Sequence, residues 1–237
     1  MTSSSPKESR VALLLVQFIV LLSAGIGLAS LLGWILHLPL LTSFGPDLLP
    51  IAPSTSLFFV MLGAATFIHI RLPQNRLAHL LSALVGSFIL IASLAVLFLL
   101  VARTPSELEH LGLSITGSIG GVSIGHMSPA TAICFAVSAL SLLLTLSSSV
   151  DHHKRAATAV VLALLVFFVS SILAIAYLFG LPVMYGGSTT PPSLPASLGF
   201  LLLATGLIGT SGRLIWQNSK RPVAGTFRVT LAFISVF

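Results

Sequence analysis

Long runs of apolar residues constrain the fold of this chain more than any other feature of its sequence. A helix needs about 20 mostly apolar residues to cross roughly 30 Å of hydrocarbon. Backbone amides and carbonyls in lipid must find partners within the protein, so runs of this length form helices. Six such runs cover approximately residues 11–36, 54–71, 77–102, 130–149, 156–179 and 196–217.

The composition agrees with a membrane-embedded chain. Hydrophobic residues make up 56% of the sequence and charged residues only 7%, where a soluble domain carries about 25% charged residues. We therefore predict an all-α, polytopic transmembrane helix bundle with six full spans and a truncated seventh. The predicted parts are an N-terminal tail (1–10), the six-helix bundle (11–222), and the start of a seventh helix (223–237) that leads to a further C-terminal part.

The basic residues predict the orientation of the bundle. If the N-terminus is cytoplasmic, ten of the eleven Lys and Arg residues fall on the inner side and only Arg103 falls outside. Such asymmetry orients multi-pass proteins. The net charge of +6 is then explained by topology and by contact with lipid head groups. Membrane lipids are the predicted partners, and nucleic acid is not.

Three of the predicted spans begin alike, after loops on the outer side. The segments PSTSLFF, PATAICF and PASLGF each place a hydroxyl residue two positions after a proline. This repetition predicts three related helical hairpins. The matched positions are Pro53 and Thr55, Pro129 and Thr131, and Pro195 and Ser197.

These entries allow two interpretations. In the first, the residues only start helices, because proline suits the first turn of a helix and a nearby hydroxyl can cap free amides. Alternatively, the three helix N-termini converge on a pocket for an anion or a carbonyl-bearing ligand. The candidate ligand-binding residues are Pro53, Thr55, His126, Met127, Pro129, Thr131, Pro195 and Ser197.

The loop before the second entry contains side chains that could bind a metal ion. His126 and Met127 follow Glu107, Glu109 and His110 in the same loop. No recognised ligand spacing connects them, so we predict no metal site and expect a solvated, flexible loop. The sequence indicates no particular cofactor.

Small residues and the placement of charge bear on packing and transport. Glycines recur in the predicted helices and favour close helix packing, including the formation of a homo-oligomer. Proton-coupled transport usually needs ionisable groups within the membrane, whereas all five acidic residues lie in predicted tails or loops. No catalytic arrangement of residues is present in 1–237.

Three stretches resemble a known class of membrane region. They are GWILHLP (33–39), SPATAICF (128–135), and YLFGLPVMYG with PPSLPASLGFLLLATG (within 177–206). Together they are similar to the N-terminal multi-helix input regions of bacterial signalling proteins. The resemblance implies a bacterial inner membrane protein, and a PAS, histidine-kinase or diguanylate-cyclase domain beyond Phe237.

From this resemblance we expect a membrane-embedded sensory or anchoring module of a signal-transduction protein, for example of a two-component system. It would relay an outer-side or intramembrane stimulus to a downstream cytoplasmic domain in the same chain. The alternative is a self-contained small-solute transporter or channel. A membrane enzyme that acts on lipids is a third hypothesis, which lacks paired carboxylates or metal-ligand spacing.

Overall fold

A computed structural model describes residues 6–45, 48–102, 107–113, 115, 117–119, 122–147, 152–179 and 191–218. Six of its helices are long and apolar enough to cross a membrane, which confirms the predicted helical membrane bundle. The elements are α1 (Pro6–Ile35), α2 (Pro39–Ser43), α3 (Pro53–Arg71), α4 (Arg76–Val101), a 3-10 turn (Glu107–His110), β1 (Ser118–Ile119), β2 (Val122–Ser123), α5 (Pro129–Leu146), α6 (His152–Leu178) and α7 (Leu194–Asn218).

The ends of the chain differ in how far the structure describes them. Helix α1 begins at Pro6, so it extends into the predicted tail 1–10. The predicted seventh span, residues 223–237, lies outside the described residues. The only described strands are β1 and β2, a two-residue antiparallel ladder in the loop before α5.

The six long helices form an inner and an outer set. Helices α3, α5 and α7 contact one another at the centre, and 56 to 67% of the residues in their most apolar windows are buried. Helices α1, α4 and α6 surround them, with only 17 to 33% buried. The outer helices therefore carry most of the surface that would face lipid.

The helices also follow a cyclic order. The most extensive contacts join α1 with α3, α4 with α5, and α6 with α7, which are the three predicted hairpins. Each outer helix packs in addition against the inner helix of a neighbouring hairpin: α4 against α3, α6 against α5, and α1 against α7. The bundle is therefore an approximately threefold ring of hairpins.

One buried serine crosses each seam between neighbouring hairpins. Ser82 donates its hydroxyl to the Ala65 carbonyl, Ser141 to Ala159, and Ser23 to Gly199, each at 2.9 Å. Such bonds are worth about 0.6 to 2 kcal/mol each in a membrane protein. These hydrogen bonds join specific positions of neighbouring hairpins. Apolar contacts between helices are less specific, because equivalent contacts to lipid compete with them.

Two glycines in the predicted spans differ in how closely the neighbouring helix approaches them. A Cβ atom added to Gly206 would lie 2.1 Å from Cγ2 of Val20, so α7 and α1 approach closely only because this position has no side chain. At Gly25 a Cβ would meet nothing within 4 Å. Close packing by glycine therefore applies to Gly206 and not to Gly25.

Candidate functional site

The three inner helices begin at one end of the bundle, which we call the entry end (Pro53, Pro129 and Leu194 are their first residues). At α5, the Ser128 hydroxyl accepts a hydrogen bond from the Thr131 amide at 3.0 Å. The same hydroxyl donates a hydrogen bond to the Thr131 hydroxyl at 2.8 Å. At α7, the Ser193 hydroxyl accepts the Ala196 amide at 3.4 Å. Two of the three entries are thus capped by serine.

The third entry is one residue out of the predicted register. Helix α7 begins at Leu194, so Pro195 is its second residue. Ser197 is equivalent to Ser56, since each donates its hydroxyl at 3.1 Å to the carbonyl of its own N-cap residue, Ser193 and Ala52. The predicted match of Ser197 with Thr55 and Thr131 is therefore wrong, because the cap and not the proline sets where the helix starts.

Three phenylalanines close the centre of the bundle behind the entries. Phe59, Phe135 and Phe200 each lie six residues after the first residue of their helix. Their ring centroids are 4.6 to 4.8 Å apart in all three pairs, and none is more than 3% exposed. We call them the phenylalanine triad, which fills the axis between α3, α5 and α7.

A polar pocket, the entry pocket, is lined by all three entries. Its walls include the N-cap residue of each inner helix and the residue three positions after each cap. It is narrow and open at the entry end, with room for about one water-sized group. These six equivalent residues are Ala52, Ser128, Ser193, Thr55, Thr131 and Ala196.

The convergence of three helix starts gives this pocket its electrostatic character. The N-terminus of a helix carries a partial positive charge of about half an elementary charge, concentrated on its free amides. Among the described lining residues there is no Lys, Arg, Asp or Glu. The converging backbone dipoles therefore contribute a field that favours negative charge in the pocket.

The predicted site residues divide into two groups. Thr55, His126, Met127 and Thr131 line the entry pocket. Sequence reasoning missed Ser193 as a cap, although a serine shortly before the proline was a usable signal. The predicted residues outside the pocket lining are Pro53, Pro129, Pro195 and Ser197.

The loop before α5 is buried at two positions where we expected solvent. The Met127 side chain is 1% exposed and packs in the core with Phe135. Its amide donates to Oε2 of Glu109 at 2.5 Å, and Glu109 is only 6% exposed. The expectation of a solvated loop is wrong for these two residues, because the 3-10 turn that carries Glu109 packs against α3.

Burial raises the pKa of Glu109 above its ordinary value of 4.5. Loss of water around the carboxylate is the main cause, because burial disfavours the charged form. The bond from the Met127 amide and the neighbouring His110 partly oppose the rise in pKa.

His110, a neighbour of this carboxylate, has its ring in tilted contact with the ring of His126. The ring centroids of His110 and His126 are 4.7 Å apart. Gly125 has a φ of +90°, and a Cβ there would lie 3.0 Å from Nε2 of His110. Glycine is therefore required at this turn both for its backbone conformation and for the approach of the ring.

Metal and thiol chemistry find little support in the described part of the chain. No group of three or more His, Cys, Asp or Glu residues there is arranged to hold a metal ion. Cys134 is a free, buried cysteine of α5 beside the phenylalanine triad, where it serves as a small apolar side chain.

Fold and site together define a six-helix bundle of the membrane type with a polar pocket at the entry end. Comparisons of the chain with models of protein families, with curated proteins and with solved structures returned no match. The function must therefore be argued from the pocket and the packing around it.

Proposed function

We propose that this chain is the membrane-embedded sensory or anchoring module of a bacterial signal-transduction protein. In this proposal a stimulus acts at the entry end, and a cytoplasmic domain that follows in the same chain receives it. The observation that carries the proposal is the entry pocket, because its walls come from all three hairpins. A ligand there contacts every hairpin at once.

Contact with all three hairpins supports a conformational output. A ligand shifts an equilibrium between two helix arrangements only if it binds them unequally. The entry pocket lies on the axis about which the hairpins pack, so small changes in their spacing alter its walls directly. Helix α7 lines the pocket and contacts α6, α1 and α5, and it is the last described helix before the C-terminal part of the chain.

The phenylalanine triad favours a sensor over a transporter. Three buried rings in mutual contact occupy the axis directly behind the pocket. A solute path along this axis would require all three rings to move. A pocket that is open at the entry end and has packed aromatic rings behind it suits a ligand that binds and leaves from the same side.

The proposed setting is the inner membrane of a bacterium, with a cytoplasmic N-terminus. The distribution of Lys and Arg supports this orientation, and it places the entry pocket on the periplasmic face. Lipids would cover the exposed apolar surfaces of α1, α4 and α6, and a homo-oligomer through helix packing stays a prediction. Any enzymatic activity of the protein would belong to the proposed domain that follows Phe237.

Topology can be tested in intact cells with a membrane-impermeant maleimide. The His126→Cys variant should react from outside, and a matched Lys154→Cys variant should react only after the membrane is opened. Unmodified protein provides the background, because Cys134 is buried. Labelling of position 154 but not 126 in intact cells would reverse the proposed orientation.

The signalling role is tested by the gene itself. We expect the reading frame to continue past codon 237 into a PAS, histidine-kinase or diguanylate-cyclase domain. A stop codon directly after codon 237 would refute the proposal that this chain relays a signal to a domain of its own.

A further inference from the structure

The start of α3 differs from the other two entries in its unsatisfied hydrogen-bond donors. Its N-cap residue is Ala52, which has no side-chain acceptor. The amides of Ser54 and Thr55 donate to no acceptor within the described part of the chain, although both residues are buried, at 6% and 2% exposure. Buried amides are nearly always paired in folded proteins.

Thr55 adds an unpartnered hydroxyl at the same place. The residue is 2% exposed and lines the entry pocket, and its hydroxyl makes no hydrogen bond within the described part of the chain. Its oxygen is not among the fully enclosed unpaired atoms of the described residues, so a group in the pocket can reach it. This is an observation independent of the helix dipoles, and it points to a group that occupies the pocket.

The other hydroxyls of the pocket also have donor capacity left. Ser128 donates its proton to the oxygen of Thr131, so the Thr131 proton is still free to be donated. Ser193 accepts the Ala196 amide, and its own proton goes to no described acceptor. The hydroxyls of Thr55, Thr131 and Ser193 can therefore each donate a hydrogen bond to a group in the pocket.

We infer that the entry pocket binds a small monovalent anion, held by the amide and the hydroxyl of Thr55 and by the converging helix N-termini. Because the pocket has room for about one water-sized group, we expect a single-atom anion such as a halide, or one end of a small carboxylate, and not a larger oxyanion. This inference names the ligand class of the proposed sensor, and rests on that proposal for its physiological consequence but not for the binding itself.

Glu109 sets the charge balance near this anion. Its carboxylate lies at the Met127 amide, one residue before the cap of α5, and is not part of the pocket lining. An ionised Glu109 would repel an anion bound in the pocket. The Glu109→Gln variant, whose amide oxygen can still accept the Met127 amide, should therefore bind the anion more tightly.

The test measures thermal unfolding of the purified full chain in detergent micelles against anion concentration, at constant ionic strength. We expect chloride, or formate as the carboxylate probe, to raise the unfolding midpoint in a saturable way, and gluconate to leave it unchanged. A response to chloride alone identifies a halide site, and a response to formate alone identifies a carboxylate site. No saturable response to either would overturn the inference.

Two variants and one control locate the site. Thr55→Val should weaken anion binding about tenfold or more, because it removes a hydrogen bond to a charged group. The matched control Thr158→Val removes an exposed hydroxyl of α6 that donates to the Lys154 carbonyl and should bind as the parent does. Equal affinities of Thr55→Val and parent would overturn the assignment.

Ala52→Asp tests the same site without loss of a side chain. A carboxylate at the N-cap should satisfy the free amides from within the chain. We expect this variant to unfold at a higher temperature without anion and to lose the anion-dependent rise. A full anion response in Ala52→Asp would contradict the proposed binding geometry.

Binding and signalling can fail separately. If the gene stops after codon 237 and the anion still binds, the sensor proposal falls and the anion site stands. If a signalling domain follows and no anion-dependent shift occurs, the anion site falls and the sensor proposal stands.

Discussion

Substitution of Phe135 by alanine should destabilise the bundle more than any comparable change on its surface. Phe135 is fully buried, and its ring contacts Phe58, Phe59 and Phe200 at centroid distances of 5.3, 4.8 and 4.6 Å. The ring cannot be replaced by lipid, because three inner helices enclose it. Phe135→Ala therefore leaves a cavity at the centre of the molecule.

The magnitude follows from this cavity and the lost ring contacts. Truncation removes about 100 Å³ of side chain, which at about 24 cal/mol per Å³ costs roughly 2.4 kcal/mol. Three aromatic contacts at the lower limit of about 0.5 kcal/mol each add roughly 1.5 kcal/mol. We expect a loss of about 4 kcal/mol in the free energy of unfolding.

The assay is SDS-induced unfolding in mixed micelles, followed by circular dichroism. The matched control is Phe98→Ala, since Phe98 lies on the outer helix α4 and is 71% exposed. That variant should lose under about 1 kcal/mol. If Phe135→Ala is no less stable than Phe98→Ala, the phenylalanine triad does not hold the inner helices together and the reasoning is refuted.

Two further predictions concern the seam between α1 and α7 and the buried carboxylate. Gly206→Ala should destabilise by about 1 to 3 kcal/mol, because the new Cβ overlaps Val20; Gly25→Ala, with open space around it, should be neutral or slightly stabilising in the same SDS titration. Equal stabilities of the two variants would contradict the close packing described at Gly206. For Glu109, the raised pKa means that the folded chain holds the proton more tightly than the unfolded chain does. Stability should therefore fall as pH rises from about 4.5 through the raised pKa, and thermal unfolding of Glu109→Gln across this interval should lack that part of the fall. Parallel pH profiles for parent and variant would show that Glu109 does not titrate as described.

Several features of the fold could be predicted because the bilayer imposes them locally. The length and apolarity of each run decided the number of spans, and the repeated entries at Pro53 and Pro129 marked where helices begin. The register of the third entry could not be read in the same way. Proline is tolerated at more than one position of a first turn, and Ser193 set the start of α7 at Leu194.

The division into inner and outer helices could not be predicted from hydrophobicity. Lipid-facing and core-facing side chains are both apolar, so Phe98 and Phe135 look alike in the sequence although one is exposed and the other buried. Glu109 and Met127 were misjudged for a related reason. Their burial depends on the 3-10 turn that packs against α3, a contact between distant segments.

The sequence by itself determined the six membrane-type helices of the described residues, because backbone hydrogen bonding in lipid favours helices for such apolar runs. Its repeated helix entries also indicated the three hairpins. Only the tertiary structure decided that Phe59, Phe135 and Phe200 meet on one axis and that Thr55 and Thr131 face one pocket. Those contacts depend on the rotation of each helix about its own axis, which side-chain packing and the serine bonds across the seams determine.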